Sequence, residues 1–570
     1  MSYTELVKSD TKNLDTYLKL QVDRTFLIPF SQRNYEWGKP EVKRLFNDLT
    51  SLYDSNKEYH MLNFFTLYHD DDNNLRIFDG QQRTVTCMLI LAVIAQNLLR
   101  QGEGEASTQI KKDFFIQHDA LRTNSENQRK LVFDSDADNT FFYKVTDNNF
   151  IPDKDYDVKE LNNNQKVIYN NLIYTNDLFE SFSKKHKDID LKKLARSILD
   201  KTLLVEFDAY EEDIALNMFE SLNNTGKNIE KYYVLKNDMV KCLGEAKVKP
   251  TWNKIDSALS GLDHKSFLIA TATLTKGKTS ESKILEHLYS DKKTNNKTDM
   301  NQLLDLLLKS SEYFLKICNE NQMTNYNNRD LLKYKNYTNI IRLFGMKQHR
   351  PIILAMLFQK RELTEINAVL NAVIELAIKN FYFDEQKANT IETKFTDYAR
   401  DVYSSKLNTD SLIEKIRKLC ISDNQLKESI KQKQFPQNNS KISFILRNAY
   451  NYEYRNNELE VSSSGNDVEH ILPQTPKEHS QWLNWFPEGE ERNKYTYNIG
   501  NLTLWHNNDN RSAKNAEFNV KRKKYAQSGL KENRDLAQNN KWTSSEIETR
   551  ADHLAEIICT TFSEYWAKLE

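Results

Sequence analysis

Asp467-Val468-Glu469-His470-Ile471-Leu472-Pro473-Gln474 is followed by Asn498-Ile499-Gly500-Asn501-Leu502-Thr503-Leu504, whose Asn501 stands thirty-one residues after His470. Asn510 and Asn515 then lead into a basic segment. Val468, Ile471 and Leu472 read as a short buried strand ending at Pro473, and Asn501 to Trp505 as a second strand. From Ala513 to Gln527 the spacing of Ala516, Val520 and Tyr525 predicts a helix carrying Lys514, Lys521 and Lys524. Read singly, Glu469-His470 is an exposed turn and Gly500-Asn501 a hairpin turn. Read in this order, two strands and a helix bring a carboxylate, a histidine and asparagines to one place.

Those residue types suit phosphodiester hydrolysis. The reaction needs an activated water, and charge must be neutralised on the phosphate and the leaving oxygen. A neutral imidazole near its ordinary pKa takes the water's proton, which makes His470 the candidate base. A hard divalent cation such as Mg²⁺ accepts carboxylate and amide oxygens, so Glu469 and Asn510 are its candidate ligands. Asn501 is a candidate orienter of either the His-bearing loop or the scissile phosphate. The arrangement looks like the ββα-metal unit of HNH, or His-Me finger, nucleases. More narrowly, EHILPQ…NIGNLTL…N…KN..F..K resembles the C-terminal nuclease domain of GmrSD-type modification-dependent restriction enzymes.

A second constellation lies near the N-terminus. Phe26-Leu27-Ile28-Pro29-Phe30-Ser31-Gln32-Arg33-Asn34-Tyr35-Glu36-Trp37 precedes Leu75-Arg76-Ile77-Phe78-Asp79-Gly80-Gln81-Gln82-Arg83-Thr84. The latter predicts a short apolar strand, an Asp-Gly turn and a long apolar helix from Val85 to about Leu99. A strand feeding a helix start leaves backbone N–H groups free for an anion. Arg83 and Arg33 add bidentate phosphate donors, Gln81 and Gln82 neutral ones. Asp79 is placed to hold a metal or polarise a water. On the residues alone an ordinary capped turn fits better. IPF.QRNYEW followed by FDGQQRTVT, however, resembles the ParB/sulfiredoxin-like N-terminal domain of the same family. The resemblance implies one nucleotide pocket formed by both motifs, with nucleoside triphosphate binding or hydrolysis controlling the nuclease. It makes Gln32, Arg33, Asp79, Gln81, Gln82 and Arg83 the expected site residues.

Phe219 to Ile229, then Leu235-Lys236-Asn237, resembles the family's F..LN..G stretch. Ile214 to Leu222 reads as a helix ended by an Asn/Gly turn with Gly226 as a left-handed cap, and a new helix follows to about Leu243. Scaffolding and a pocket role for Asn223 and Lys236 fit equally. Three positions depart from relatives: Tyr233 where an Asp is common, Thr225 where an Arg is common, and Met61-Leu62-Asn63-Phe64-Phe65 in place of an aromatic-Leu-Gly step.

Composition bounds the rest. The 570 residues predict a few domains. The formal net charge of −1 excludes a polycation, so nucleic-acid affinity must be local. Between Trp505 and Lys541 stand nine Lys/Arg against four Asp/Glu, and Lys514, Lys521, Arg522 and Lys524 are the expected DNA contacts. Five scattered cysteines have no zinc-ligand or redox spacing, which predicts free thiols. No signal peptide and no apolar run of bilayer length is read, so the expectation is cytoplasmic, without membrane contact.

The middle of the chain shows helix-like spacing over Leu303–Ile317, Tyr337–Phe344, Ile352–Gln359 and Ile366–Phe381. Ser443 to about Glu460 reads as a helical lead-in to the last domain. The expected architecture is therefore α+β and multidomain: a ParB/sulfiredoxin-like domain over 1–245, a helical connector over 246–438 and a nuclease domain over 439–570. The family resemblance implies defence against phage DNA carrying modified bases or backbone, with a homodimer as one assembly. An RNA-directed or toxin-like nuclease, and a DNA-binding regulator with an inactive nuclease domain, are the alternatives.

Overall fold

The computed structural model describes residues 6–566 except 21–24, 31, 55–57, 71–73, 118–127, 213, 216–217, 219–230, 290–295, 388, 437–439, 457–459, 463–464, 488 and 514. The predicted helix over Ile214–Leu222 and its cap Gly226 fall largely outside these residues. The chain is a mixed α/β protein, mostly helical, in two compact units. One comprises Met1–Asp256 and Lys292–Leu304, the other Ser257–Asp291 and Asp305–Glu570. Most of the helical middle, 257–291 and 305–438, thus shares one unit with the C-terminal region.

The first unit is built on a mixed six-stranded sheet. Its strands are β1 (Val7–Asn13), β2 (Phe26–Ile28), β3 (His60–His69), β4 (Leu75–Asp79), β5 (Leu131–Phe133) and β6 (Thr202–Ala209), ordered β1-β6-β3-β4-β2-β5. β2 runs parallel to both β4 and β5, while β3 is antiparallel to β4 and parallel to β6. β4 forms because Leu75, Ile77 and Phe78 are all buried. It ends at Gly80, whose φ of +97° is in the left-handed region and whose Cβ, if present, would stand 2.1 Å from the Phe65 ring. Only glycine fits there.

Helix α1 (Gln81–Arg100) starts at that turn and is buried nearly all round, from Gln81 through Leu98, as the unit's central element. This corrects one expectation. By length and composition α1 is apolar enough to cross a membrane, although 83% of its apolar window is buried inside the protein. The interior demands the same composition as a bilayer would.

In the second unit the predicted middle helices are present. The helix α2 (Leu363–Leu376) passes into a π-helix over Ala377–Phe383, and α3 (Ser440–Glu453) is the lead-in expected from Ser443. The strands β7 (Asn466–His470) and β8 (Leu502–His506) pair antiparallel, with His470 opposite Leu502 and Glu469 opposite Thr503. Each differs slightly from expectation. β7 stops at His470 because the Ile471 and Leu472 N–H groups turn away to bond Asn501. The predicted single helix over 513–527 is two, α4 (Asn507–Ala513) and α5 (Phe518–Tyr525). Glu517 has extended backbone (φ −60°, ψ 151°) as the N-cap of α5, which separates the two helices, and the Ala516 carbonyl before it accepts from the Trp482 indole at 3.0 Å. Trp482, Trp505, Phe518, Tyr525 and Trp542 fill the local core, closed by α6 (Ser544–Thr560).

Candidate functional site

His470 sits at the last position of β7, 6% exposed. Its Nε2 lies 3.2 Å from the backbone carbonyl of Phe435. A carbonyl only accepts, so this bond requires Nε2 to carry the proton and leaves the lone pair on Nδ1. Burial pushes the imidazole's pKa down and outweighs the Phe435 bond, which raises it, while the Lys521 cation adds to the lowering. The ring is held neutral, as a base must be.

Two neighbours fix the turn that follows. Asn501 is fully buried. Its Oδ1 accepts from Leu472 N at 2.7 Å and from the Trp542 indole at 3.0 Å, and its Nδ2 donates to Leu472 O at 3.0 Å and Thr496 O at 2.9 Å. With its amide so engaged, Asn501 braces the loop after His470. Gly500 beside it packs against α6, where a Cβ would stand 2.0 Å from the Ile547 carbonyl. The Gly-Asn step is thus a close backbone approach, with Arg550 of α6 donating to the carbonyls of Gly500 and Leu502.

Lys521 provides the other brace and corrects the expected DNA contacts. It is 0% exposed, and its ammonium donates to Glu469 Oε1, to His470 O at 2.9 Å and to Ile471 O at 3.0 Å. All three N–H donors have protein acceptors, so none faces a phosphate. Burial lowers the ammonium's pKa and raises that of the Glu469 carboxyl, while each partner opposes the other's shift. Arg522 is half-buried and donates to Ala537 O at 2.8 Å, Lys524 is half-buried, and Lys523 is exposed. Lys514 lies outside the described residues.

Asn510 is half-buried on α4, which packs against both strands. Glu469 Oε1 is taken by Lys521, and the second carboxylate oxygen and the Asn510 amide oxygen are hard donors of the kind Mg²⁺ accepts. Among the described residues no group of three His, Cys, Asp or Glu side chains is gathered for a metal.

In the other unit the two N-terminal motifs meet. Gln81 Nε2 donates to Arg33 O at 2.6 Å. Gln82 Oε1 accepts from Glu36 N at 2.8 Å and Trp37 N at 3.2 Å, and its Nε2 donates to Asn34 O at 2.9 Å. The two glutamines therefore tie the 33–37 loop to the start of α1. Arg83 is ion-paired with Asp79 at 3.0 Å, lies 4.5 Å over the Phe65 ring and donates to Leu62 O. Asp79 Oδ1 accepts from Gly80 N at 2.8 Å. Among the described residues no side chain caps α1, Gln32 Nε2 is buried without a partner, and Arg33 is exposed. Asn223 lies outside the described residues. Lys236 is buried 3.9 Å over the Phe30 ring and 3.7 Å from Asp256, and Tyr233 bonds Glu36. All five cysteines are unpaired.

Sequence reasoning missed Phe435, whose contribution is a backbone carbonyl and has no side-chain signature. It also missed Trp542 and Arg550, which stand far along the chain without a motif around them.

Comparison with known proteins accounts for both regions. Residues 11–240 match the GmrSD restriction endonuclease N-terminal domain, and residues 420–557 match the C-terminal domain of GmrSD restriction endonucleases. No curated protein matches the chain significantly. The two matches cover more than half of the sequence, one containing the joined N-terminal motifs and the other the braced histidine. The chain belongs to the GmrSD restriction endonuclease family, with its N-terminal and C-terminal domains both present, and is a nuclease whose substrate is DNA.

Proposed function

We propose that the protein is a modification-dependent DNA endonuclease of phage defence, acting in the cytoplasm, with a His-Me finger as its nuclease centre. The observation that carries this is the buried imidazole of His470, fixed through Nε2 by the Phe435 carbonyl at the end of β7, one residue after Glu469. His470 Nδ1 takes the proton from the attacking water. Glu469 and Asn510 hold one divalent cation, which when bound stabilises charge on the phosphate and leaving oxygen. Asn501 and Lys521 keep the His470–Leu472 turn in register with that geometry.

The ParB/sulfiredoxin-like domain binds a nucleoside triphosphate at the start of α1, with the backbone N–H groups of Gln81, Gln82 and Arg83, the Gln32 amide and Arg33 as its donors. Nucleotide then shifts the nuclease between restrained and competent states, which requires different affinity for the two. The test is Mg²⁺-dependent cleavage of plain, glucosylated-hydroxymethylcytosine and phosphorothioated DNA, with and without nucleoside triphosphates, for wild type and His470→Ala. Cleavage that needs His470 and prefers one modified DNA is expected. Cleavage that survives His470→Ala would refute the assignment of the base.

A further inference from the structure

Asn501, which braces the turn after His470, is itself flanked by two carbonyls that one distant side chain holds. Arg550 of α6 donates through Nη1 to Gly500 O at 2.8 Å and to Leu502 O. Its Nη2 is ion-paired with Glu532 on the helix Lys531–Leu536, and the two side chains are only 10% and 14% exposed.

The ribbon explains why these carbonyls need a partner. β7 and β8 form a sheet of two strands, so β8 has one edge that no third strand pairs. Buried backbone groups on such an edge must bond something else. Leu502 and Leu504 are both buried. The Leu504 carbonyl accepts from Asn533 Nδ2 at 2.9 Å and the Leu502 carbonyl from Arg550. Between them the Thr503 hydroxyl stands 2.8 Å from Asn533 Oδ1 and 3.1 Å from the second Glu532 oxygen. Side chains thus take the place of the third strand.

The two closures act at different places. Ile471 N donates to Asn501 O at 2.9 Å. The next pair along the ribbon, His470 opposite Leu502, is therefore the closely spaced type, with backbone groups turned outward and side chains nearest each other. Arg550 grips the residue that lies directly against His470 and, through Gly500, the other side of Asn501. Asn533 acts two residues further along, where Leu504 opposes Val468. A guanidinium is planar and fixes the directions of its donors, so it sets the spacing of the Gly500 and Leu502 carbonyls as well as bonding them. An ammonium on a flexible stem does not.

We propose that Arg550 is a positioning residue for DNA cleavage, acting through Leu502 and Gly500 to fix the place of the His470 ring. Its guanidinium is committed to backbone carbonyls and Glu532, so its effect is on the geometry of attack. There a displacement of about 1 Å costs on the order of a hundredfold in rate. The proposal rests on the reading of His470 as the base.

The test is cleavage with enzyme in excess over DNA, for wild type, Arg550→Ala, Arg550→Lys and Asn533→Ala, with melting temperatures and DNA affinities measured beside it. A mere loss of folded protein raises the enzyme concentration needed and leaves the rate constant at saturation alone. In Arg550→Ala that constant is expected to fall about a hundredfold with DNA affinity unchanged, and Arg550→Lys is expected to recover part of it. Asn533→Ala, which opens the same edge opposite Val468, is expected to lower the melting temperature and keep the constant. An unchanged constant in Arg550→Ala, or equal losses in Arg550→Ala and Asn533→Ala, overturns the proposal. If Arg550→Ala does not fold, Arg550→Lys carries the comparison. If the wild type cuts no DNA, the reading of His470 as the base falls. Hydrogen exchange then decides the positioning claim separately: the Ile471 and Leu472 N–H groups, both held by Asn501, are expected to exchange faster in Arg550→Lys, and unchanged exchange overturns it.

Discussion

Replacing Lys521 by methionine keeps the length of the side chain and removes its ammonium. Glu469 is then left buried and charged, and the carbonyls of His470 and Ile471 lose a donor. Breaking a buried ion pair by removing one partner costs about 3–5 kcal/mol, a large share of the roughly 5–15 kcal/mol that stabilises a domain. The damage is local, because the bonds converge on three consecutive residues. Hydrogen exchange is therefore the assay, read on the peptide covering Asn466–Leu472, whose Leu472 N–H is held by Asn501. A loss of about 3 kcal/mol there speeds exchange roughly a hundredfold. Adding Glu469→Gln removes the uncompensated charge and restores part of the protection. DNA affinity is the second readout. The slope of log K against log salt is expected to stay unchanged in Lys521→Met and, where exposed Lys523 meets a phosphate, to fall by about 0.9 in Lys523→Ala. Unchanged exchange with a shallower salt slope in Lys521→Met would refute the reasoning, since it would put Lys521 on the DNA.

Gly500→Ala forces a Cβ to within 2.0 Å of Ile547 O, so α6 must shift; a loss of about 1–3 kcal/mol is expected in thermal unfolding, together with loss of cleavage. Gln82→Leu removes three bonds to the 34–37 loop, and faster proteolysis of that loop is expected along with weaker nucleotide binding. His349 is buried, and burial with nearby Arg350 lowers its pKa from 6.5 to about 3. The unfolded chain therefore takes up a proton below pH 6.5 that the folded one refuses. The stability this contributes is complete above pH 6.5 and falls by about 1.4 kcal/mol per unit as pH drops toward 3. Urea midpoints at pH 7.5 and 5 measure it, and His349→Gln is expected to remove that part of the difference.

The parts of the fold that were legible are those where local chemistry and packing agree. Leu75 to Arg100 reads as strand, turn and helix because its apolar run, its Asp-Gly step and its helix formers all point one way. The edge strand Val7–Asn13 carries no alternation and is mostly exposed, so its pairing with Thr202–Ala209, nearly two hundred residues away, leaves no local trace. Lys521 was misplaced for a definable reason. Centring the helix face on Val520 puts Lys521, one residue on, about 100° away from it. The buried face is instead Phe518, Lys521 and Tyr525, with Val520 47% exposed. Polarity argued for the surface, and a buried carboxylate with two carbonyls prevailed. A lysine can be core only when all its donors are met, and that condition cannot be read from neighbours in sequence.

The same logic bears on the N-terminal motif. Gln81 and Gln82 were expected as phosphate donors, yet their amides hold Arg33, Asn34, Glu36 and Trp37. Arg83, too, is engaged by Asp79, Leu62 and Phe65. On the proposed reading, an anion at the Gly80 turn would meet backbone N–H groups, with Gln32 and Arg33 delivered by the loop that the glutamines tie down. A nucleotide bound there would tighten the junction between two segments fifty residues apart, rather than simply fill a preformed ring of side chains. Variants at Gln81 or Gln82 therefore change the loop before they change any phosphate contact. Arg33→Ala is the cleaner probe of the nucleotide itself, because its exposed side chain can be removed while the backbone carbonyl that Gln81 holds stays in place.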